Sequence, residues 1–214
     1  MVKGFSTRDS NREIRHAMYG ENAEKCIGKI EKGFEFFCMT KGQFSIINVI
    51  ETILKQTGKA DVIISTWTAA NAEIKKAEKF LSNGNINNLH WIIDRSFKTR
   101  QEKYYNILKE KFGEACISET NSHAKFILIR NNEWNIVIRT SMNLNENKRL
   151  ESFEISDHKG LFDYLMTLCQ DIMVSGKYSW DKFKVLGQAK KYNTYALPKL
   201  DSFDMGDIDF TLSN

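Results

Sequence analysis

His123 and Lys125 stand two residues apart at the start of the apolar run Phe126-Ile127-Leu128-Ile129. Ser141 and Asn143 stand two apart just after Ile136-Val137-Ile138-Arg139-Thr140. Side chains alternate along a strand, so each pair is expected on one face. The polar stretch Asn131-Asn132-Glu133 between the two runs leaves no room for a helix and predicts a hairpin. The hairpin returns the second pair to the neighbourhood of the first, at its open end. One face would then carry an imidazole, an ammonium, a hydroxyl and an amide. A neutral imidazole can attack phosphorus. The lysine, serine and asparagine donors can hold non-bridging oxygens as charge builds on them. The stretch has no acidic cluster suited to Mg²⁺, so no metal and no other cofactor is expected.

The flanking pattern says what must position these groups. Phe34–Thr40, Asp61–Trp67, Leu89–Asp94 and Ala115–Glu119 read as strands, and Phe153–Ile155 as a further one. Between and after them, Phe44–Thr57, Ala69–Leu81, Arg100–Phe112 and Leu161–Met173 read as helices, stopped at Gly58, Asn83-Gly84, Gly113 and Gly176. Strands alternating with helices of this length predict βαβ units and a largely parallel sheet with helices on its faces. Residues 1–33 read as an N-terminal arm with one helix near Asn11–Ile30. Residues 34–176 read as the catalytic domain, and 177–214 as a C-terminal extension.

The sequence His123-Ala-Lys125 followed by Ser141-Met-Asn143 resembles the HxK…GSxN signature of the phospholipase D superfamily. Glu154 stands eleven residues beyond Asn143, as the acidic partner often does there. Glu151 competes for that role, with Glu154 preferred. More broadly, residues 40–45, 65–68 and 139–145 resemble phospholipase D-like proteins of phages and prophages. The resemblance implies an α/β fold with a mixed, largely parallel sheet flanked by helices. It implies metal-free phosphodiester chemistry through a covalent phosphohistidine, with His123, Lys125, Ser141, Asn143 and Glu154 as the catalytic set. Two HxK histidines are needed across a two-fold axis. His16, His90 and His158 have no lysine two residues on, so a homodimer is implied. Two positions depart from the pattern. Arg130 replaces the usual aspartate and is expected to add positive charge near the site. Thr140 replaces the usual glycine and puts a side chain where the backbone normally approaches closely.

Composition limits the substrate. The chain has 214 residues and a formal net charge of +4. Asp201, Asp204, Asp207 and Asp209 account for −4 in residues 201–214, so residues 1–200 carry +8. A basic body suggests a polyanion. No apolar run reaches the ~18 residues of a membrane span. No secretory signal is visible at the N-terminus, and the four cysteines are scattered, so a reduced, cytoplasmic setting and no membrane partner are expected. Among superfamily activities this favours a nuclease acting on nucleic acid, DNA before RNA. The alternative is a non-catalytic nucleic-acid-binding protein of the same fold. Arg130, Arg139, Ser65 and Trp67 are candidate substrate contacts, the last two because they end a parallel strand, where α/β sheets bind ligands. The acidic, aromatic-containing tail resembles the tails of single-stranded-DNA-binding proteins, and would dock a protein partner or compete with nucleic acid.

Overall fold

A computed structural model describes residues 12–16, 21–145 and 148–175. The acidic tail and the rest of the C-terminal extension lie outside the described residues. The described residues all fall within one unit, 1–178.

The strands are β1 (Arg12–His16), β2 (Glu35–Thr40), β3 (Ala60–Thr66), β4 (Ile86–Asp94), β5 (Ile117–Thr120), β6 (Phe126–Arg130), β7 (Asn135–Thr140) and β8 (Glu151–Asp157). They form one sheet in the order β1-β2-β8-β7-β6-β3-β4-β5. The pairs β1–β2, β3–β4 and β4–β5 are parallel, and the other four pairs are antiparallel. Only β6 and β8 run against the rest, so six of the eight strands share a direction. The mixed, largely parallel α/β sheet expected from the sequence is thus present.

The helices are α1 (Ala23–Ile27), α2 (Ile46–Thr57), α3 (Asn71–Ser82), α4 (Ser96–Arg100), α5 (Glu102–Phe112) and α6 (Lys159–Ser175). Sheet alternation splits the core in two. Val62, Ile64, Trp91, Ile93, Ile127, Ile129, Ile136, Ile138, Phe153 and Ile155 face α1, α2, α3 and α5. Ile63, Ile92, Phe126, Leu128 and Val137 face Phe162, Cys169 and Ile172 of α6. A strand buried on both faces reads as an unbroken apolar run, as β3 and β6 do.

Local chemistry sets the element ends. Asn48 Oδ1 accepts from both the N–H and the hydroxyl of Ser45, opening α2. Gly58 closes it at φ 81°, a conformation that disfavours a side chain. The β6–β7 hairpin is closed by Asn131, whose Oδ1 accepts from the N–H groups of Glu133 and Trp134 at 3.0 Å each.

Two expectations change. Among the described residues of 1–33, Arg12–His16 is a strand paired in parallel with β2, and only Ala23–Ile27 is helical. Pairing with the sheet overrides the weak helical pattern. The helix expected over Arg100–Phe112 is two helices, broken at Gln101, whose φ of −142° and ψ of 54° are not helical. The four cysteines are free thiols, as their scattered spacing implies. Cys26 and Cys38 are buried with their sulfurs 3.1 Å from each other.

Candidate active site

The strand directions gather the chemistry at one edge. The C-terminal ends of β2, β3, β4, β5 and β7 meet the N-terminal ends of β6 and β8 there. The hairpin turn lies at the opposite edge, so its open end carries the segments 121–125 and 141–145 side by side. Thr140 N–H donates to the Lys125 carbonyl at 3.2 Å, extending the β6–β7 ladder to this rim.

The segment before β6 is held at several points. Ser122 N–H donates to Asp94 Oδ2 at 3.1 Å. Ala124 N–H donates to the Ser122 hydroxyl. The buried Ser65 hydroxyl donates to the Ala124 carbonyl at 3.0 Å. These bonds fix the backbone on both sides of His123, whose side chain is exposed.

Lys125 Nζ lies 3.3 Å from His123 Nδ1 and 3.2 Å from the His123 carbonyl oxygen. The two side chains therefore meet, as their spacing predicts. An ammonium has donors only, so in this arrangement Nδ1 accepts and the neutral ring carries its proton on Nε2. Partial burial pushes the Lys125 pKa below that of an ordinary lysine, and the nearby Glu151 carboxylate works against that shift. The Trp67 ring lies 5.3 Å from the His123 ring, centroid to centroid, at a tilt of 57°.

The segment after β7 closes the site from the other side. The Thr140 hydroxyl donates to the Ser152 carbonyl at 2.8 Å and accepts from Met142 N–H at 2.9 Å. The side chain where a glycine is usual thus folds back to shape the turn. The Ser141 hydroxyl donates to Glu151 Oε2 and accepts from Ser152 N–H. Leu144 N–H donates to the Thr68 carbonyl, and Ala70 N–H donates to the Leu144 carbonyl. Those two bonds carry Asn143 to the exit of β3. Its Oδ1 is buried with no hydrogen-bond partner among the described residues.

Other expected site residues are placed elsewhere. Phe126, Arg139 and Glu154 form one cross-strand row. Phe126 faces α6, whereas Phe153, the neighbour of Glu154, faces the other core. Glu154 therefore points to the opposite side of the sheet from Lys125. There it binds Arg139 Nη2 at 2.6 Å. Glu151, paired with Ser141 and felt by Lys125, is the carboxylate at the rim. The two glutamates stand three apart on one strand and so face opposite sides, and the register of β8 decides which of them faces the rim. Arg130 ends β6 at the far edge, five residues or about 17 Å from Lys125. It lines a cleft of about 510 Å³ with His90, Phe162 and Met166. Its charge therefore lies away from the site. Ser65 is buried and supports the His123 segment from beneath.

Two more residues complete the rim: Asp94, and Arg100 from the charged run Lys98–Lys103, whose sequence reads as a solvated face or a phosphate-backbone contact. Asp94, at the end of β4, accepts from Ser122 N–H through Oδ2 and from the N–H and hydroxyl of Ser96 through Oδ1. Burial pushes its pKa up. The bonds from Ser96 and Ser122 and the charge of Arg100 outweigh that and hold it below the ordinary carboxylate value. Arg100 donates from Nε to the Ser96 hydroxyl and from Nη2 to the Trp67 carbonyl, both at 2.9 Å. The position of Asp94 at the end of a parallel strand beside β3 was the available signal.

The remaining histidines are distant. His90 Nε2 lies 2.9 Å from the Ser118 hydroxyl, along the inner part of β4. His158 follows β8 at the far edge, where its Nδ1 accepts from Leu161 N–H. His16 ends β1, four strand spacings or about 19 Å from β6.

No family model matches the chain, and no curated protein matches it. It is similar at 12% identity to the crystal structure of polyphosphate kinase from Porphyromonas gingivalis, with a TM-score of 0.49 over 75% of this chain and 31% of that one. It is similar at 11% identity to the phosphatidylserine synthase of Haemophilus influenzae Rd KW20, with a TM-score of 0.45 over 65% of this chain and 38% of that one. The matched part is about a third of either structure's own length.

Proposed function

We propose that the chain is a metal-independent phosphodiesterase of the phospholipase D type, acting on nucleic acid as a nuclease. The observation that carries this reading is the meeting of His123 and Lys125 at the open end of the hairpin, opposite Ser141 and Asn143. His123 attacks phosphorus through Nε2, breaks the bond to the leaving oxygen and forms a phosphohistidine, which water then hydrolyses. For that, the ring proton must sit on Nδ1, so Lys125 must turn from Nδ1 to a non-bridging oxygen of the substrate. Asn143 and Lys125 hold the charge that develops in the transition state. Glu151 holds the Ser141 hydroxyl and keeps the rim from carrying excess positive charge.

The leaving oxygen needs a proton on the side of phosphorus opposite the nucleophile. The other histidines of the chain lie far from His123, so the reading puts the His123 of a second copy there, related by a two-fold axis. The basic body supports nucleic acid as the substrate, because neutralised phosphates release counterions and give sequence-independent affinity.

The test is cleavage of single- and double-stranded oligonucleotides in EDTA, by wild type and by His123→Ala. The wild type should cut, and the variant should lose several orders of magnitude. Wild-type activity that vanishes in EDTA and returns with Mg²⁺ would count against the mechanism. A non-catalytic module that grips a phosphodiester is the second reading, favoured by the Lys125 bond to Nδ1. It requires nucleic acid binding without any cleavage by wild type.

A further inference from the structure

Arg100 is exposed, yet it is fixed. Its Cζ lies 3.6 Å from the centroid of the Trp67 ring. Nε and Nη2 are each tied by one hydrogen bond, to Ser96 and to the Trp67 carbonyl. Ser96 is in turn held by Asp94, the same carboxylate that fixes Ser122 beside His123. A stacked guanidinium bonded along one edge presents the rest of its five N–H donors in a set direction. Among the described residues, no carboxylate forms a direct ion pair with it. Asp94 reaches it through the Ser96 hydroxyl.

Holding an exposed arginine in one geometry costs side-chain entropy. A surface cation–π contact offsets only part of that cost. Such a restraint does little for stability, but it prepares a donor fork for a planar or tetrahedral anion. The guanidinium and the His123 imidazole pack against the same indole, 3.6 and 5.3 Å from its centre, so they lie within about 9 Å of each other. That spacing suits two successive phosphates of one chain.

We propose that Arg100 is a second phosphate-binding group, which grips the phosphate next to the one presented to His123. The site is thereby selective for a row of phosphates over an isolated diester. This deepens the reading of the site given above and rests on it, but its test needs no turnover. The measurement is fluorescence anisotropy of a labelled single-stranded 20-mer, with competition by inorganic polyphosphate, across a salt series. Wild type, Arg100→Ala, Arg100→Lys, Lys103→Ala and His123→Ala are compared.

Arg100→Ala should weaken binding about tenfold or more, and should lower the slope of log Kd against log salt by about one. Arg100→Lys should recover the slope and only part of the affinity, because a lysine lacks the fork. Lys103→Ala removes an equal charge from the same exposed run and should cost clearly less. Competition by polyphosphate that depends on Arg100 assigns the fork to phosphate rows in general. Dependence seen with the oligonucleotide alone assigns it to nucleic acid. Equal losses in Arg100→Ala and Lys103→Ala would overturn the proposal by reducing Arg100 to one charge of a diffuse basic surface. So would failure of the wild type to bind either polyanion at low salt. Absence of cleavage by wild type, with Arg100-dependent binding intact, would instead remove the catalytic reading and leave this one standing. If Arg100→Ala melts early, Arg100→Lys carries the same comparison.

Discussion

Lys125 Nζ sits 3.3 Å from His123 Nδ1, and the nucleophile and its neighbouring cation are therefore engaged with each other. The neutral ring then holds its proton on Nε2, the nitrogen that would have to attack. Long-range ¹H–¹⁵N spectra of the imidazole should show the Nε2–H tautomer in the free protein. Addition of a phosphate ester should draw the ammonium away and shift the population toward Nδ1–H. Spectra that show Nδ1–H already dominant without ligand would contradict this arrangement.

The same lysine predicts an alkaline limit. Its pKa is lowered by burial, with Glu151 opposing the shift. Phosphate binding should therefore decline at a lower pH than an ordinary lysine, with its pKa of about 10.4, would allow. Glu151→Gln removes the opposing charge, so that decline should move to still lower pH. A pH profile of phosphate-ester binding for both proteins checks the direction. A move to higher pH in the variant would show that Glu151 acts elsewhere.

Glu151 and Glu154 should behave differently when neutralised. Glu151→Gln replaces the charged acceptor of the Ser141 hydroxyl with a neutral amide and should reduce turnover. Glu154→Gln breaks a pair with the half-exposed Arg139 on the other side of the sheet. Its stability cost should be about 0–1 kcal/mol, with turnover close to that of wild type. Paired kinetics and urea melts separate the two, and a severe kinetic defect in Glu154→Gln alone would restore it as the acidic partner.

Asp94 links the rim to acid stability. Its folded pKa is depressed, so its contribution is present above the unfolded value of about 3.9. That contribution fades as the pH falls through the folded value. Asp94→Asn should be less stable than wild type near pH 7, and the gap should narrow on going well below pH 4. Thermal melts across pH 2–7 measure it. A gap that widens in acid would mean the carboxyl is not favoured in its charged form.

Thr140→Gly would restore the residue usual before the serine. It would also remove two hydrogen bonds, to Ser152 and from Met142. The expected loss is about 1–3 kcal/mol in chemical denaturation. Unchanged stability would show that the threonine hydroxyl does not hold the turn.

Much of this was legible in the residues. Periods of two and of 3.6 marked β3, β4, α2, α3 and α6. The Asn131 turn signalled the hairpin, and the two-residue spacings placed His123 and Lys125 together. These signals are local, because alternation and turn chemistry act over a few residues. Arg12–His16 became a strand only because β2 offered it a partner. The choice between Glu151 and Glu154 depended on the register of β8 against β7, and a shift of one residue exchanges every face. Arg130 was assigned a charge near the site on sequence nearness to Lys125, but five strand residues carry it to the other edge. The contacts of Arg100 with Trp67 and of Asp94 with Ser122 span 33 and 28 positions. Only the folding of four strand ends onto one rim brings such residues together, and no local pattern encodes that.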